Sequence, residues 1–472
     1  MQKYTHAFGK NDIRGIYGDD ITEELFFNIG INFVKWLEIQ SGKSPQDMTL
    51  TVCRDARLHS PQLSEALISG VMATGAKIID LGLAPTPLGY YSEVSMANII
   101  SAMIITASHN PKEYNGLKMT FNHQTLNEKQ IKEVRDITFN NWMEYAQKEV
   151  ITQTYDIIPA YILDMTNRFG QIGKGIKVVV DSANATGGIV GPELYRQLGC
   201  QVVELYSEPD GNFPNHHPNP SDLKTLKDIQ AKVIETNADI GIAFDGDSDR
   251  IGVVDNKGNA LTGDKLLLIY ALDLLNEGEK PTVVSEVKCS QVLYDTINKL
   301  GGNAVMTKTG HGYIKEKMKE TNATLAGEMS GHTFFKDRYY GYDDAIYAGC
   351  RIIEIIAKNK QINNQFTIQN MLEPFNAVFT SDEVRYPCPN ELKKSTLETL
   401  KERVSDEMFN TKIKDIVTLD GMRIIFDGGF ALIRQSNTEP VFTLRFEAKT
   451  KDKCEQLKSA MLKNLDQILN RN

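Results

Sequence analysis

The sequence predicts an α/β fold made of several domains. Apolar runs of strand length, such as Ile99–Ile105 and Ile240–Phe244, alternate with segments of helical periodicity, and each of these runs ends in a polar loop. Such alternation is typical of α/β domains rather than of separate helical and strand blocks. The chain has 472 residues, 41% of them hydrophobic, which is enough for about three to four domains with cores of their own.

The first two domains are predicted to share a strand-and-loop unit. The first extends to about residue 155 and contains the strand Ile99–Ile105, and the second opens near Pro159. Its strand at 176–180 and loop at 181–188 are similar to the strand and loop around Ser108. Ser221 is expected to cap a helix that leads into the strand Ile240–Phe244.

The second half of the chain continues this pattern and then departs from it. A third α/β domain is expected after the turn at 256–258. The last hundred or so residues instead combine alternating strands around Arg434 with a final helix. That helix is predicted to place one apolar face on the core, made of Leu457, Met461, Leu465 and Ile468.

The loop at 106–111, Thr-Ala-Ser-His-Asn-Pro, carries a candidate reactive serine, Ser108. A hydroxyl at the carboxyl end of a strand, in a loop with a proline, is positioned for group transfer. The loop is not a serine-hydrolase elbow, because Thr106 and Asn110 occupy the positions that would need glycine. An ordinary turn serine is the alternative.

A second loop predicts a cation site. Asp245, Asp247 and Asp249 alternate directly after the strand Ile240–Phe244, and such crowding of carboxylates is costly without a cation. An EF-hand is excluded, because Arg250 and Asn256 stand where that loop needs glycine and glutamate. Three oxygen ligands with an open position favour magnesium that is shared with a phosphate.

Two further loops predict contacts to a sugar phosphate. In Gly-Glu-Met-Ser-Gly-His at 327–332, Glu328 and Ser330 can face the same way toward sugar hydroxyls. The segment at 434–440 offers a guanidinium, hydroxyls, an amide and backbone N–H groups, a combination typical of a phosphate site. A plain turn and a solvated hairpin are the respective alternatives.

Taken together, these blocks resemble the alpha-D-phosphohexomutase superfamily, and most closely the bacterial phosphomannomutase/phosphoglucomutase group. The resemblance covers nearly the whole chain, and four independent loops occur in the family's order. The matching blocks are Asp-Ile-Arg-Gly at 12–15, the Ser108 loop, the metal loop at 245–250, Val-Lys-Cys-Ser at 287–290, Lys-Thr-Gly-His at 308–311, the Glu328 loop, Ser-Asn-Thr at 436–438 and Leu-Arg-Phe-Glu at 444–447.

Details within these blocks separate branches of the superfamily. Met329 and the Ser-Asn-Thr run at 436–438 are similar to the mannose/glucose branch, whereas phosphoglucosamine mutases have glutamine and Ser-Gly-Thr there. The chain departs from the mannose/glucose branch at Asn11, where tyrosine is usual, and at Cys53, where glycine is usual. The Asn11 difference affects one expected sugar or phosphate contact.

The resemblance implies three similar mixed α/β domains and a smaller C-terminal α+β domain around a central cleft. The expected boundaries are 1–155, 156–258, 259–372 and 373–472, and each domain contributes one loop. The implied reaction passes a phosphoryl group from phosphorylated Ser108 to a hexose monophosphate. A hexose 1,6-bisphosphate is then the intermediate, and added bisphosphate is the activator.

The resemblance also implies a role for each site residue. Ser108, Asp245, Asp247 and Asp249 would hold Mg²⁺. Arg14, Arg250 and Lys118 would add positive charge, and either Lys118 or His109 would move the hydroxyl proton. The expected substrate-binding residues are Lys288, Thr309, Gly310, His311, Glu328, Ser330, His332, Arg434, Ser436, Asn437 and Thr438.

Composition limits the partners and the compartment. A net charge of −9 argues against a general binder of nucleic acid or anionic membranes. The six scattered cysteines form no zinc or disulfide pattern. No apolar run approaches the roughly 20 residues of a membrane span, and residues 1–10 lack a signal-like apolar region. We expect a cytoplasmic protein, a monomer or weak homodimer, whose partners are small hexose phosphates.

Three alternative functions remain open from the sequence. A phosphoglucosamine mutase would use the same chemistry on a different sugar. A non-catalytic sugar-phosphate sensor would need neither Ser108 nor the three aspartates. A phosphatase would let water take the phosphoryl group, and net release of inorganic phosphate would distinguish it.

Overall fold

The computed structural model describes residues 2–145, 152–436 and 439–469, and the chain divides into two compact units. The first unit contains the residues up to Leu261 together with Ser330–Thr333 and Tyr342–Thr367. The second contains Thr262–Met329, Phe334–Gly341 and the residues from Ile368 onward. Each unit is described below by itself.

The first sheet has seven strands, in the order β1-β5-β4-β2-β3-β7 with β6 beside β5. The strands are β1 (Ile13–Ile16), β2 (Thr49–Arg54), β3 (Lys77–Leu83), β4 (Ile99–Ile105), β5 (Tyr114–Phe121), β6 (Gln124–Thr125) and β7 (Gln153–Thr154). Strands β2, β3, β4 and β7 are parallel, and β5 is antiparallel to both β4 and β1. The predicted strand Ile99–Ile105 is confirmed, and the Ser108 loop connects it to β5.

Four helices accompany this sheet: α1 (Glu23–Ser41), α2 (Ser60–Met72), α3 (Thr86–Ser95) and α4 (Glu128–Asn140). Thr22 caps α1 by accepting the N–H of Leu25, and Gly42 ends the helix in the left-handed region at φ 69°. The helices α1 and α2 approach closely at Gly70, where an added Cβ would lie 2.1 Å from the carbonyl oxygen of Phe27. The absence of a side chain at Gly70 allows this packing.

The second sheet has five strands in the order β12-β11-β10-β8-β9. They are β8 (Lys177–Asp181), β9 (Gln201–Leu205), β10 (Ile240–Phe244), β11 (Ile251–Asp255) and β12 (Ala260–Leu261), with helices α5 (Ile158–Phe169), α6 (Gly191–Gln197) and α7 (Lys227–Thr236). Strands β8, β9 and β10 are parallel, whereas β11 pairs with β10 in antiparallel fashion. The three aspartates therefore lie in the hairpin between β10 and β11.

The predicted cap at Ser221 is wrong by one residue. The Asp222 carboxylate accepts the N–H of Lys224 and begins a 3₁₀ helix, Leu223–Leu226, which continues into α7. The Ser221 hydroxyl instead donates to Asn219 Oδ1 at 2.6 Å. Serine and aspartate are comparable capping residues, so the competing bond to Asn219 decides between them.

The third sheet has the order β14-β13-β15-β16. Its strands are β13 (Thr282–Glu286), β14 (Asn303–Thr307), β15 (Leu325–Gly327) and β16 (Thr333–Phe335), with helices α8 (Gly263–Asn276), α9 (Gln291–Lys299) and α10 (His311–Thr321). Strand β13 is parallel to both β14 and β15. The next helix, α11 (Ala345–Ile362), belongs to the first unit.

The fourth sheet is antiparallel, with the order β17-β22-β21-β20-β19 and β18 beside β22. Its elements are β17 (Phe379–Thr380), β18 (Val384–Pro387), α12 (Asn390–Arg403), α13 (Asp406–Phe409), β19 (Asp415–Val417), β20 (Met422–Phe426), β21 (Gly429–Gln435), β22 (Val441–Ala448) and α14 (Lys451–Ile468). Leu457, Met461 and Leu465 of α14 are buried as predicted. Three α/β sheets followed by this α+β region confirm the predicted fold class.

Two general expectations concern cysteines and membranes. All six cysteines lie in the described part of the chain, and each is buried and free. Among the described residues, no helix combines the length and apolar character that crossing a membrane requires.

A buried glutamate in the first unit makes its stability sensitive to pH. Glu93 of α3 accepts a hydrogen bond from the Thr120 hydroxyl of β5 and is only 6% exposed. Burial raises the pKa of Glu93 from 4.5 to about 7, although its hydrogen bonds act in the opposite direction. Its proton is therefore held more tightly in the folded state than in the unfolded state.

We expect Glu93→Gln to remove part of the pH dependence of unfolding. The stability that the protonated Glu93 contributes is present below about pH 4.5 and is lost as the pH rises through about 7. Relative to the variant, the wild type should lose up to about 3 kcal/mol between pH 5 and 8. Urea unfolding at pH 5 and pH 8 measures this change in the free energy of unfolding, and Glu65→Gln is the control because Glu65 is exposed. Equal pH dependence in the wild type and Glu93→Gln would contradict the prediction.

Candidate active site

Ser108 follows β4 in a loop that holds its backbone in an unusual conformation. Its φ is +49°, in the left-handed region, and the residue is 2% exposed. Its N–H donates to Thr106 Oγ1 at 2.8 Å. Its Oγ donates to Asp245 Oδ2 at 2.7 Å and lies 3.2 Å from His109 Nδ1. The structure therefore brings the candidate serine against the first residue of the predicted metal loop.

The three aspartates form a compact buried cluster. Asp245, Asp247 and Asp249 each place a carboxylate oxygen within 4.8 Å of the others. Lys118 donates to Asp247 Oδ2 at 2.7 Å and to Asp249 Oδ2 at 2.5 Å, and the Thr86 hydroxyl donates to Asp247 Oδ2 at 2.7 Å. Asp247 Oδ1 and Asp249 Oδ1 are buried and have no hydrogen-bond partner among the described residues. These two oxygens are available as ligands.

The charges of the cluster are unbalanced without a further cation. Burial and the neighbouring carboxylates of Asp249 and Asp247 raise the pKa of Asp245 well above its usual value. Burial also acts to raise the pKa of Asp249, but the neighbouring Lys118 and His332 outweigh burial, and the pKa of Asp249 is lowered. Three carboxylates, two of them with an open oxygen, match the ligands that Mg²⁺ prefers, so the residues present fit the predicted ion.

Lys118 lies on β5 and is 5% exposed. Burial acts to lower its pKa, yet Asp247 and Asp249 raise it well above the usual lysine value. The side chain is therefore a permanent ammonium between two carboxylates. Such a group neutralises charge more readily than it exchanges a proton.

Arg14 and Arg250 lie beside the Ser108 loop, which contains His109. Arg14 of β1 donates to Asn110 Oδ1 at 2.8 Å and pairs with Asp12. Arg250 Nη1 lies 3.4 Å from His109 Nε2. Burial, followed by the charges of Arg250 and Arg14, lowers the pKa of His109 well below its usual value, so its imidazole is neutral at neutral pH.

The structure places His332 beside Arg250 in the first unit. His332 is buried, its Nε2 lies 3.0 Å from Arg250 Nε, and its Nδ1 lies 3.0 Å from Asp343 Oδ2. A guanidinium only donates, so Nε2 accepts and Nδ1 carries the proton that faces Asp343. His332 thereby links Asp343 to Arg250.

In the second unit, four of the predicted substrate residues lie in neighbouring loops and at the start of α10. Glu328 follows β15, and its Oε1 accepts the Gly310 N–H at 2.8 Å. The Thr309 N–H donates to Asp420 Oδ2 at 3.2 Å, and Thr309 Oγ1 is buried without a partner among the described residues. His311 is the first residue of α10. This group combines a carboxylate with an available hydroxyl.

Lys288 and Arg434 lie near carboxylates of the second unit. Lys288 Nζ is 3.6 Å from Glu286 Oε2, and Glu286 Oε1 accepts the Met329 N–H at 2.9 Å. Arg434, at the end of β21, donates from Nε to Asp420 Oδ2 at 3.1 Å. Asp420 therefore contacts both the Thr309 loop and Arg434.

The predicted phosphate-binding loop is only partly described. The Ser436 hydroxyl accepts the Glu439 N–H at 3.2 Å, and Lys393 donates to the carbonyl oxygens of both residues. Asn437 and Thr438 lie outside the described residues. Ser330 belongs to the first unit, where it is half-buried.

Sequence reasoning missed three residues that contact the predicted ones. Thr86 follows β3 at the carboxyl edge of the first sheet. Because ligands bind at this edge of open α/β sheets, the position could have identified Thr86 as a candidate. Asp420 stands in an Asp-Gly pair that reads as an ordinary turn. Asp343 is far from Arg250 in sequence, and nothing local identifies it.

Four models of the phosphoglucomutase/phosphomannomutase family match the chain in order. They are the alpha/beta/alpha domain I at residues 5–144, domain II at 159–258, domain III at 262–371 and the C-terminal domain at 383–464. Together they cover most of the chain and all four predicted loops.

Similar proteins agree with these matches. A phosphomannomutase/phosphoglucomutase of Pseudomonas aeruginosa is 38% identical over 98% of this chain and 96% of its own length. A phosphoglucomutase of Neisseria gonorrhoeae is 36% identical over 96% and 95%, respectively. The crystal structure of a family protein from Burkholderia thailandensis superposes with a TM-score of 0.87 at 33% identity, over 98% of this chain and 97% of the other. The chain therefore belongs to the phosphoglucomutase/phosphomannomutase family.

Proposed function

We propose that this protein is a phosphomannomutase/phosphoglucomutase that interconverts hexose 1-phosphates and hexose 6-phosphates through phosphorylated Ser108. The observation that carries the proposal is the contact of 2.7 Å between Ser108 Oγ and a buried cluster of three aspartates. Full-length relatives named for this activity support it.

Ser108, Asp245, Asp247 and Asp249 would hold Mg²⁺. The open oxygens of Asp247 and Asp249 support this assignment. When bound, the ion would neutralise charge on the phosphoryl oxygens. Arg14 and Arg250 would bind the same oxygens, and the hydrogen bond that Arg250 Nε donates to His332 Nε2 would orient that guanidinium.

The reaction consists of two opposite transfers. In the first, the bond from phosphorus to Ser108 Oγ breaks and a bond from phosphorus to the free hydroxyl of the sugar forms, giving hexose 1,6-bisphosphate. The sugar hydroxyl loses a proton, and Oγ gains one. In the second, the other phosphoryl group returns to Ser108. Bisphosphate that is added from outside phosphorylates an idle enzyme in this way and so acts as the activator.

We assign proton transfer at Ser108 Oγ to His109. Its Nδ1 lies 3.2 Å from Oγ, whereas Lys118 is hydrogen-bonded to Asp247 and Asp249. Lys118 would instead neutralise negative charge. Both roles follow general rules of phosphoryl transfer, in which positioning and charge stabilisation dominate.

The remaining predicted residues are proposed to bind the other parts of the hexose phosphate. Glu328 and Ser330 are proposed to bind ring hydroxyls, with Thr309 Oγ1 as a further donor. Arg434, Ser436, Asn437 and Thr438 are proposed to bind the phosphate that is not transferred. Lys288, Gly310, His311 and His332 complete the proposed set, His332 through Arg250.

We predict that purified protein carries phosphate on Ser108 and that Ser108→Ala loses mutase activity by several orders of magnitude, because the proposed mechanism transfers the phosphoryl group through Ser108 Oγ. Mass spectrometry measures the phosphorylation of Ser108, and a coupled assay with glucose 1-phosphate measures the mutase activity. Ser182→Ala removes a buried hydroxyl from the corresponding loop of the second sheet and should retain activity. Full activity of Ser108→Ala would contradict the covalent mechanism.

Asp247→Asn should weaken Mg²⁺ binding and lower kcat roughly 100- to 1000-fold, since one electrostatic contribution is worth about 3 kcal/mol. Calorimetric titration with Mg²⁺ and steady-state kinetics measure these effects. Asp228→Asn, which removes an exposed carboxylate of the same unit, is the matched control. The metal assignment is wrong if both Asp247→Asn and a chelator leave turnover unchanged.

Glucose and mannose phosphates should be used with kcat/KM values within about 10- to 100-fold of each other. The two sugars differ only in orientation at C2, and the proposed contacts of Glu328 and Ser330 are to C3 and C4. N-acetylglucosamine phosphate should be poor because of its bulk at C2. A preference for N-acetylglucosamine phosphate would instead favour a phosphoglucosamine mutase. A ratio of kcat/KM between the glucose and mannose phosphates above about a thousandfold would show that another group contacts the hydroxyl at C2.

A further inference from the structure

Arg57 lies between β2 and α2 and is nearly inaccessible, at 1% exposure. A guanidinium has five N–H donors, and all five are used here. The acceptors are Asp55 Oδ2 at 3.0 Å from Nε, the carbonyl oxygens of Pro111 at 2.6 Å and Tyr114 at 3.0 Å from Nη1, and those of Ser108 at 2.9 Å and Asn110 at 2.7 Å from Nη2.

Four of these five acceptors belong to the backbone of a single loop, at 108–114. That loop includes Ser108 itself, whose φ of +49° is uncommon for a residue other than glycine. A strained backbone persists only where several contacts determine it. Arg57 supplies four such contacts from one rigid plane, including one to the carbonyl group of the strained residue.

The guanidinium is itself held from two sides. Asp55 Oδ1 accepts the Arg57 N–H at 3.0 Å and the Ser60 hydroxyl at 2.7 Å, which fixes the carboxylate that binds Nε. The aromatic ring of Phe213, from the loop before α7, lies over the guanidinium with its centroid 5.4 Å away. Neither contact involves the three aspartates or a group that we assign to the substrate.

We infer that Arg57 is a positioning residue that sets the backbone of the Ser108 loop and thereby the place of Oγ; this inference rests on the proposed function. A side chain at this position fills the space between β2 and the loop, but filling that space does not require five hydrogen bonds. Lysine has three donors and no plane, so it cannot satisfy the four carbonyl groups and Asp55 together.

The decisive variant is Arg57→Lys, which keeps the charge and much of the bulk. The matched control is Arg351→Lys, which replaces another fully buried arginine of the same unit, on α11, beside Tyr347. Two measurements are made on each folded protein. These are kcat and KM with glucose 1-phosphate and added bisphosphate, and amide hydrogen exchange of peptides that cover residues 106–116.

For Arg57→Lys we expect kcat to fall at least 50-fold while KM stays within threefold, since the proposed sugar and distal phosphate contacts are unchanged. Amide exchange of 106–116 should become at least tenfold faster. Arg351→Lys should lower the melting temperature without either effect. Loss of activity in Arg351→Lys equal to that in Arg57→Lys, or unchanged exchange in the Ser108 loop of Arg57→Lys, overturns the inference.

A milder variant covers the case in which Arg57→Lys does not fold. Phe213→Leu removes only the ring over the guanidinium and should lower kcat about three- to tenfold at constant KM, with faster exchange at 106–116. Unchanged kcat and exchange overturn the inference. A wild-type protein without mutase activity would refute the proposed function, while the exchange measurements would still decide whether Arg57 orders the loop.

Discussion

The arrangement of the candidate site depends on an excess of buried negative charge. Asp245, Asp247 and Asp249 are withdrawn from water, and Lys118 offsets part of their charge. Buried ions are tolerated only when they are paired and hydrogen-bonded. Burial and this imbalance raise the pKa of Asp245, and Asp247 Oδ1 and Asp249 Oδ1 accept no hydrogen bond from the described residues. In the proposed function, this imbalance is what would give the cluster affinity for a divalent cation.

A second theme is the use of buried or half-buried cations to hold backbone carbonyl groups. Arg57 binds four carbonyls of the Ser108 loop, Lys393 binds those of Ser436 and Glu439, and Arg445 binds that of Lys288. Arg423 adds bonds to the carbonyls on both sides of Lys288, at Val287 and Cys289. Loops generally carry few apolar contacts. Charge-assisted hydrogen bonds from arginine and lysine to backbone carbonyl oxygens therefore supply the rigidity that apolar packing does not.

The sequence predicted those parts of the molecule that depend on local patterns. The strands Ile99–Ile105 and Ile240–Phe244 have the predicted bounds, because each is a continuous apolar run that ends at polar residues. Ser108 and the three aspartates could be singled out because they follow these strands.

Contacts between distant segments could not be predicted in this way. The hydrogen bonds between Arg250 and His332 and between Thr86 and Asp247, and the close approach of His332 Nδ1 to Asp343, exist only once the chain has folded. Where two residues compete locally, as Ser221 and Asp222 do for a helix start, composition does not decide between them. The three boundaries at 155, 258 and 372, which separate the four expected domains, remain a prediction.

The division of the chain has a consequence for its synthesis. The first unit is interrupted in sequence by Thr262–Met329 and is completed by Ser330–Thr333 and Tyr342–Thr367. On the ribosome, β11 therefore emerges well before Gly331, whose carbonyl accepts the Ile251 N–H, and before the residues that pair with Asp249 and Arg250. Until these residues emerge, Asp249 and Arg250 of the nascent first unit lack their contacts with His332. The contacts of His332 with Asp249 and Arg250 thus form later in synthesis than those of Ser108, Lys118 and Thr86 with the three aspartates, whose residues have all emerged by then.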